Sequence, residues 1–176
     1  NLSDEDKEPD KLKIKKSDWI NHNSKRIFIP DSFDFKITSV GIFNNIDIVR
    51  QACNIIINRV NELKNNISSP EKFAQMLQSN SNSTISDSFD IVLFNEDYTI
   101  GKIIEYVLHY TYYKSEKILS YVGFRKNHPH DSYSIIRIAF KDNIPSENIY
   151  QSVQTVLANS CDKAISIYQN ILETFD

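Results

Sequence analysis

At 176 residues the chain can form one large domain or two small ones, and its 40% hydrophobic and 24% charged content is ordinary for a soluble globular protein. A net charge of −3 gives no whole-surface electrostatic drive toward nucleic acid. No apolar run approaches the roughly 20 residues that span a bilayer, and no signal peptide is visible. Two cysteines without a CxxC spacing fit a reduced, intracellular setting. The first residue is Asn1 rather than Met, as expected of a fragment or a processed product.

Residues 1–26 are highly polar and are expected to be a partly mobile tail, with Leu12, Ile14 and Trp19-Ile20 as a possible short edge strand. Over 33–38 the sequence alternates strictly: Phe33, Phe35 and Ile37 share one face, and Asp34, Lys36 and Thr38 the other. That period of two predicts a half-buried strand, closed by a turn at Gly41. The period then changes. Ile46, Val49, Cys53, Ile56, Val60, Leu63 and Ile67 recur at alternating steps of three and four, which places them on one helical stripe. Arg50, Asn54, Asn58, Asn61 and Asn65 fall on the opposite face. Ser68-Ser69-Pro70 predicts the stop, because the residue before a proline disfavours helical geometry. The polar run Ser79-Asn80-Ser81-Asn82-Ser83-Thr84 cannot bury enough apolar surface to order itself, so 68–87 reads as a linker with one helical turn near Phe73.

The second half is more regular. Residues 89–94 predict a short apolar strand. Thr99 is placed to cap a helix whose apolar face is Ile100, Ile103, Ile104, Val107 and Leu108. Residues 119–125 and 133–140 predict two strands, joined by the turn-forming His128-Pro129-His130-Asp131. Pro145 suits the first turn of a long helix reaching towards Phe175, on the order of 40 Å. Ile149, Val153, Val156, Leu157, Cys161, Ala164, Ile165, Ile167, Tyr168, Ile171 and Phe175 give that helix a broad apolar face. A four-stranded sheet is only about 20 Å wide, so part of the stripe needs a second partner. The stripe of 46–67 supplies one, with Ile46, Val49, Cys53, Ile56, Val60 and Leu63 expected against Val153, Val156, Leu157, Ile167 and Ile171. Burial at about 25 cal/mol per Å² would contribute several kcal/mol of gross stabilisation. The fold class expected is α+β, with a β-α-β-β-α second half.

Chemistry-bearing constellations are scarce. His109, His128, His130 and Cys161 do not converge in sequence as the three or four ligands of a zinc site must, so no metal and no cofactor is expected. Glu96-Asp97 lacks a nucleophile–base partner, and adjacent acids ahead of a helix favour its positive N-terminal end. Cys53 sits on the seam, where a thiol packs as a small hydrophobe. Arg137 reads as an ion-paired or solvated sheet position. Gly101 and Gly123 belong to no phosphate-loop pattern; Gly123 is expected at a bulge or a close backbone approach. Lys114, Lys117, Arg125 and Lys126 form a weak basic patch, read as a solvated face. Catalytic residues are therefore not expected.

Two runs carry a family likeness: Glu96-Asp97-Tyr98-Thr99-Ile100-Gly101, and Gly123-Phe124-Arg125-Lys126-Asn127-His128-Pro129 followed by Arg137-Ile138. Their order resembles the small α-like subunit of multisubunit DNA-dependent RNA polymerases, the eleventh subunit of the eukaryotic enzyme and the L subunit of the archaeal one. Relative to that family's pattern, Tyr98 stands in place of the usual His and Lys102 in place of the usual Asn. The strand, Gly turn and seam helix of 27–67 resemble the C-terminal end of the larger α-like subunit, the third subunit or archaeal D. The resemblance implies two α-like halves in tandem, 27–67 and 88–176, around a linker at 68–87, as in the fused α-like subunits of large nucleocytoplasmic DNA viruses. The Ile-, Asn- and Lys-rich, AT-type residue usage suits such a source.

The resemblance further implies an α-like dimerisation fold and a non-catalytic assembly role. The chain would dock the two large catalytic subunits and meet nucleic acid only through the complex, without a membrane, in a nucleus or in a cytoplasmic virus factory and virion. Glu96, Asp97, Thr99, Ile100, Gly101, Gly123, His128, Pro129 and Arg137 would be structural family positions. The alternative is a generic α/β dimerisation module unrelated to transcription, which would use the same helix stripes.

Overall fold

A computed structural model describes residues 9–79, 85, 88–141 and 146–175. The expected cap at Pro145 and most of the polar run 79–84 lie outside the described residues. The chain divides into two compact units, Asn1–Thr38 and Ser39–Asp176.

In the first unit, helix α1 spans Pro9–Asp18 and continues through a π-helical turn, Trp19–Asn23, and a 3₁₀ turn, Ser24–Arg26. None of these elements buries a residue. The edge strand expected around Leu12 to Ile20 is replaced by helix; only Leu12 and Ile14 alternate with the lysines there, too short a pattern to hold a strand. The strand expected over 33–38 does not form either. Phe33 and Phe35 meet with ring centroids 6.5 Å apart, but the segment is assigned to no strand. Alternation specifies a face, and a strand also needs a neighbour to take its N–H and C=O groups.

The second unit is α+β. Gly41 turns the chain with φ +97°, a left-handed conformation that glycine adopts without a Cβ penalty. Asn44 then caps α2, Asn45–Ser68, its side chain accepting from Asp47 N at 2.9 Å. The helix stops at Ser68 as the Ser-Pro step requires, and Pro70 opens a second helix at once: α3, Pro70–Met76. Strand β1, Leu77–Ser79, follows. This is more structure than the single turn expected in a linker. Phe73 and Met76 are buried, Phe73 meets Tyr150 edge-on with centroids 4.8 Å apart, and the Tyr150 hydroxyl donates to Pro70 O. Two apolar residues three apart on a seven-residue helix give too short a pattern to stand out in a polar neighbourhood.

Strand β2 is Ser88–Phe94, α4 is Tyr98–Leu108, β3 is Leu119–Arg125, β4 is Tyr133–Phe140 and α5 is Ser146–Glu173. A π-helical turn, His109–Ser115, extends α4 and buries Tyr112. The sheet is antiparallel throughout, in the order β1-β2-β4-β3. Phe89, Ile91 and Leu93 of β2, Ile136, Ile138 and Phe140 of β4, and Leu119, Val122 and Phe124 of β3 turn one face to the helices. The register between β3 and β4 shifts between Leu119 and Tyr121. The irregularity thus falls at Ser120, while Gly123 pairs regularly with Arg137. Gly123 serves the close approach instead: a Cβ there would lie 2.5 Å from the Tyr121 hydroxyl.

Helices α2 and α5 pack antiparallel over the sheet. Gln154 Nε2 donates to Ile67 O at 2.7 Å, Lys64 pairs with Asp162, and Arg50 reaches Phe175 O at the far end. At 1.5 Å per residue the helices run about 36 and 42 Å, longer than the sheet is wide. Val60, Leu63, Ile67, Val153, Val156 and Leu157 are buried where the sheet backs them. Beyond it burial thins: Val49, Ile56 and Ile171 are half-buried, and Ile46 and Ile167 are 49% and 43% exposed. Ile46 and Ile167 are thus not buried in the seam. The α5 seam runs Cys161, Ala164, Tyr168, Ile171, and Ile167 sits about a quarter-turn off it. Ile46 lies in the first turn of α2, past the cover of the sheet. Among the described residues no helix is long and apolar enough to cross a membrane.

Candidate interaction site

The two motif runs meet in space. At the end of β2, Asn95 takes φ +56°, a left-handed conformation that Asn tolerates, and its N–H donates to Ser132 O at 2.7 Å. The chain thereby turns sharply into Glu96 and Asp97. Asp97, rather than Thr99, is the N-cap of α4: its Oδ1 accepts from Thr99 N at 3.1 Å. Both side chains can cap, and the carboxylate adds an attraction to the positive helix end. Ile100 is fully buried one turn further on.

Gly101 is fixed by Phe124. A Cβ at Gly101 would stand 1.9 Å from the Phe124 ring, so the helix approaches β3 only because that side chain is missing. Around the same ring, Tyr98 packs edge-on at 5.3 Å between centroids and Lys102 Nζ lies 5.7 Å from the centroid. Glu105 pairs with Lys102 and accepts from Phe124 N at 3.1 Å. Tyr98 and Lys102 thus both contact Phe124.

Glu96 joins this corner to the first seam helix by pairing with Arg59 of α2. The Glu96 carboxyl is held above its ordinary range because burial penalises its charge, and the Arg59 guanidinium pulls it only part of the way back. A cleft of about 370 Å³ opens beside the pair, lined by Glu62, Asn66, Lys72, Gln75 and Asn95 among others. It is polar and holds no nucleophile–base pair of the kind covalent catalysis uses.

The sheet face away from the helices carries a second charged cluster. Asp90 is 2% exposed; Arg137 grips it with Nε–Oδ1 at 2.6 Å and NH2–Oδ2 at 2.8 Å, and Arg125 adds a contact at 3.3 Å. The hydrogen bond to Asp90 raises the Arg137 pKa further, outweighing the burial that lowers it. Asp90 was not evident from sequence as a site residue. Its signal is one acid in an otherwise apolar strand, opposite Arg137 across the β2–β4 ladder.

The turn ahead of β4 is closed by its own groups. His128 N donates to Asp131 Oδ2 at 3.1 Å, Asp131 N to His128 O at 3.0 Å, and His130 N to His128 Nδ1 at 3.2 Å. Pro129 sits between them. His109 is elsewhere, stacked on Tyr113 at 4.9 Å. Among the described residues no three His, Cys, Asp or Glu side chains gather as metal ligands would. Cys53 and Cys161 are buried; burial raises both thiols, Cys161 to about 12, so neither is a ready thiolate.

The described residues thus present a corner tied to α2 through Glu96 and Arg59, and a helix pair that outruns its sheet. The sequence matches no protein-family model and no curated protein.

Proposed function

We propose that the chain is a non-catalytic assembly subunit of a DNA-dependent RNA polymerase, an α-like platform that docks the two large catalytic subunits. In this reading 27–67 is the end of a larger α-like half and 88–176 a smaller one, joined in tandem as in the fused subunits of large DNA viruses. Its setting would be a nucleus, or a cytoplasmic virus factory and virion. The observation that carries the reading is the meeting of the two family-like runs, Phe124 against the bare Cα of Gly101, with Glu96 reaching across to Arg59 of the other half. Spacings that share no local structural reason become neighbours in one corner. The antiparallel pairing of α2 with α5 supports it further, because two α-like halves would associate through their long helices.

Affinity purification of the tagged full chain from its source cells tests the proposal. The two largest polymerase subunits should co-purify in mild salt and drop out when Glu96→Arg and Arg59→Glu are each introduced. Recovery of the chain without them would overturn the reading.

A further inference from the structure

The outer face of α4 and its π-helical turn is built from rings and lysines. Tyr98, Lys102, Tyr106, Tyr110 and Lys114 recur every four residues, and all are exposed. Tyr98, Tyr106, Tyr110 and Tyr113 are 56%, 63%, 57% and 43% exposed, while Ile100, Ile104, Val107, Leu108 and Tyr112 fill the inner face. A solvated helix face needs no ring, and Tyr is a poorer helix former than Lys, Glu or Gln. The rings are also ordered among themselves. Tyr106 and Tyr110 stack at 15° with centroids 6.1 Å apart, and His109 and Tyr113 at 25° and 4.9 Å. The wider π-turn, with its i→i+5 bonding, brings residues four apart closer to one line than an α-turn does. Lys114 Nζ lies 5.8 Å from the centre of the Tyr110 ring. Lys102, Tyr106 and His109, with Glu105, line a cavity of about 390 Å³. The two acids of the stretch are held by other groups: Glu105 by Lys102 and Phe124 N, and Glu116 by Lys163, 3.8 Å away.

We propose that this face binds single-stranded nucleic acid, with bases stacked on the tyrosines and phosphates drawn to Lys102 and Lys114. Aromatic platforms for bases and cations for the backbone are the two parts of such a site. The face runs about 20 Å, the length of a short site of about four nucleotides. Tyrosine also suits a protein partner, but lysine is depleted from protein interfaces, and 98–114 contains no tryptophan, methionine or arginine beside its rings. A duplex does not fit, because its bases already stack on one another. The whole-chain charge of −3 does not oppose a local contact of this kind, since screening limits each charge to about 10 Å. The binding goes beyond the polymerase reading and does not depend on it.

Fluorescence anisotropy of a labelled oligothymidylate with the full chain tests it. The wild type should bind with a Kd on the order of 10 μM at low salt. An oligouridylate of equal length should bind alike, because stacking and phosphate contacts do not read the sugar. Tyr106→Ala and Tyr110→Ala should each weaken binding about tenfold without changing its salt dependence, and Tyr110→Phe should bind as the wild type does. Lys102→Gln and Lys114→Gln should each lower the slope of log K against log salt by about 0.7. Far-UV circular dichroism should be unchanged in all of them, since the altered side chains are exposed. No binding at about 100 μM chain overturns the proposal. So does full affinity in the Tyr106→Ala/Tyr110→Ala double variant, as expected if the lysine-rich α1 holds the strand by charge alone. Equal binding of a duplex, or equal competition by polyglutamate, as expected of a face for an acidic protein, overturns it too.

Discussion

The two ends of the α2–α5 pair have the same kind of sequence and different fates. At the sheet-backed end Val60, Leu63, Ile67, Val153 and Leu157 lose nearly all contact with solvent; at the overhanging end Ile46 and Ile167 keep about half. The hydrophobic period continues along both helices, so period alone does not set burial. A two-helix contact covers a narrow seam on each helix. The broader apolar face seen on α5 is filled only where a third layer, here the sheet, closes it.

This difference can be broken most sharply by placing a charge at each end. Val60→Asp puts an unpaired carboxylate among side chains of all three layers and should cost roughly 3–5 kcal/mol or prevent folding. Ile46→Asp should stay within about 0.5 kcal/mol in the same urea denaturation experiment. Equal losses would mean that the overhang is covered as tightly as the rest. On the other side of the sheet, Asp90→Ala should cost about 3 kcal/mol, because it strands Arg137 and Arg125 without their shared acceptor. A loss no larger than that of an exposed acid would show the cluster to be solvated.

At the motif corner, Gly101→Ala should destabilise by about 1–3 kcal/mol, since the Phe124 ring must move out of the added methyl. Adding Phe124→Ala to it should cost less than the sum of the two single changes. Strict additivity in that cycle would sever the proposed contact.

The smallest expected effect is pH-dependent. Glu96 has a raised folded-state pKa, so between its unfolded and folded values the folded chain holds more protons than the unfolded one. Its contribution to stability is therefore fully present below the ordinary carboxylate value and is lost as pH rises through the raised one. The wild type should gain stability relative to Glu96→Gln as pH falls from neutral into the carboxylate range. A gain in the opposite direction would mean that Arg59, rather than burial, governs Glu96.

Long periodic segments were the legible part of this chain. The seam of 46–67, the apolar face beginning at Ile100 and the strands around Val92, Val122 and Ile136 all form where their spacing predicts, because each repeats its pattern often enough to outvote local exceptions. Phe73 and Met76 were hidden by brevity. The 33–38 segment was misread for the opposite reason: its pattern is clear, and its partner is not written beside it. The ties at the motif corner could not be read from periodicity. Arg59 and Glu96 lie 37 residues apart and Asp90 and Arg137 lie 47 apart, so each becomes a pair only after the fold has closed. The cap was expected at Thr99 and fell instead to Asp97, two residues earlier, whose carboxylate also suits the helix dipole.

Glu105 has a consequence for how large any assembly of this molecule can grow. By accepting the outward N–H of Phe124, it denies an incoming chain the first rung of a new ladder on the β3 side. Edge-to-edge stacking of sheets is the usual route by which antiparallel proteins polymerise without limit, and this side chain plugs that route at one end. Removing it with Glu105→Ala should leave the folded unit intact and open a path from discrete particles to filaments, visible as turbidity that grows with time and seeds fresh protein.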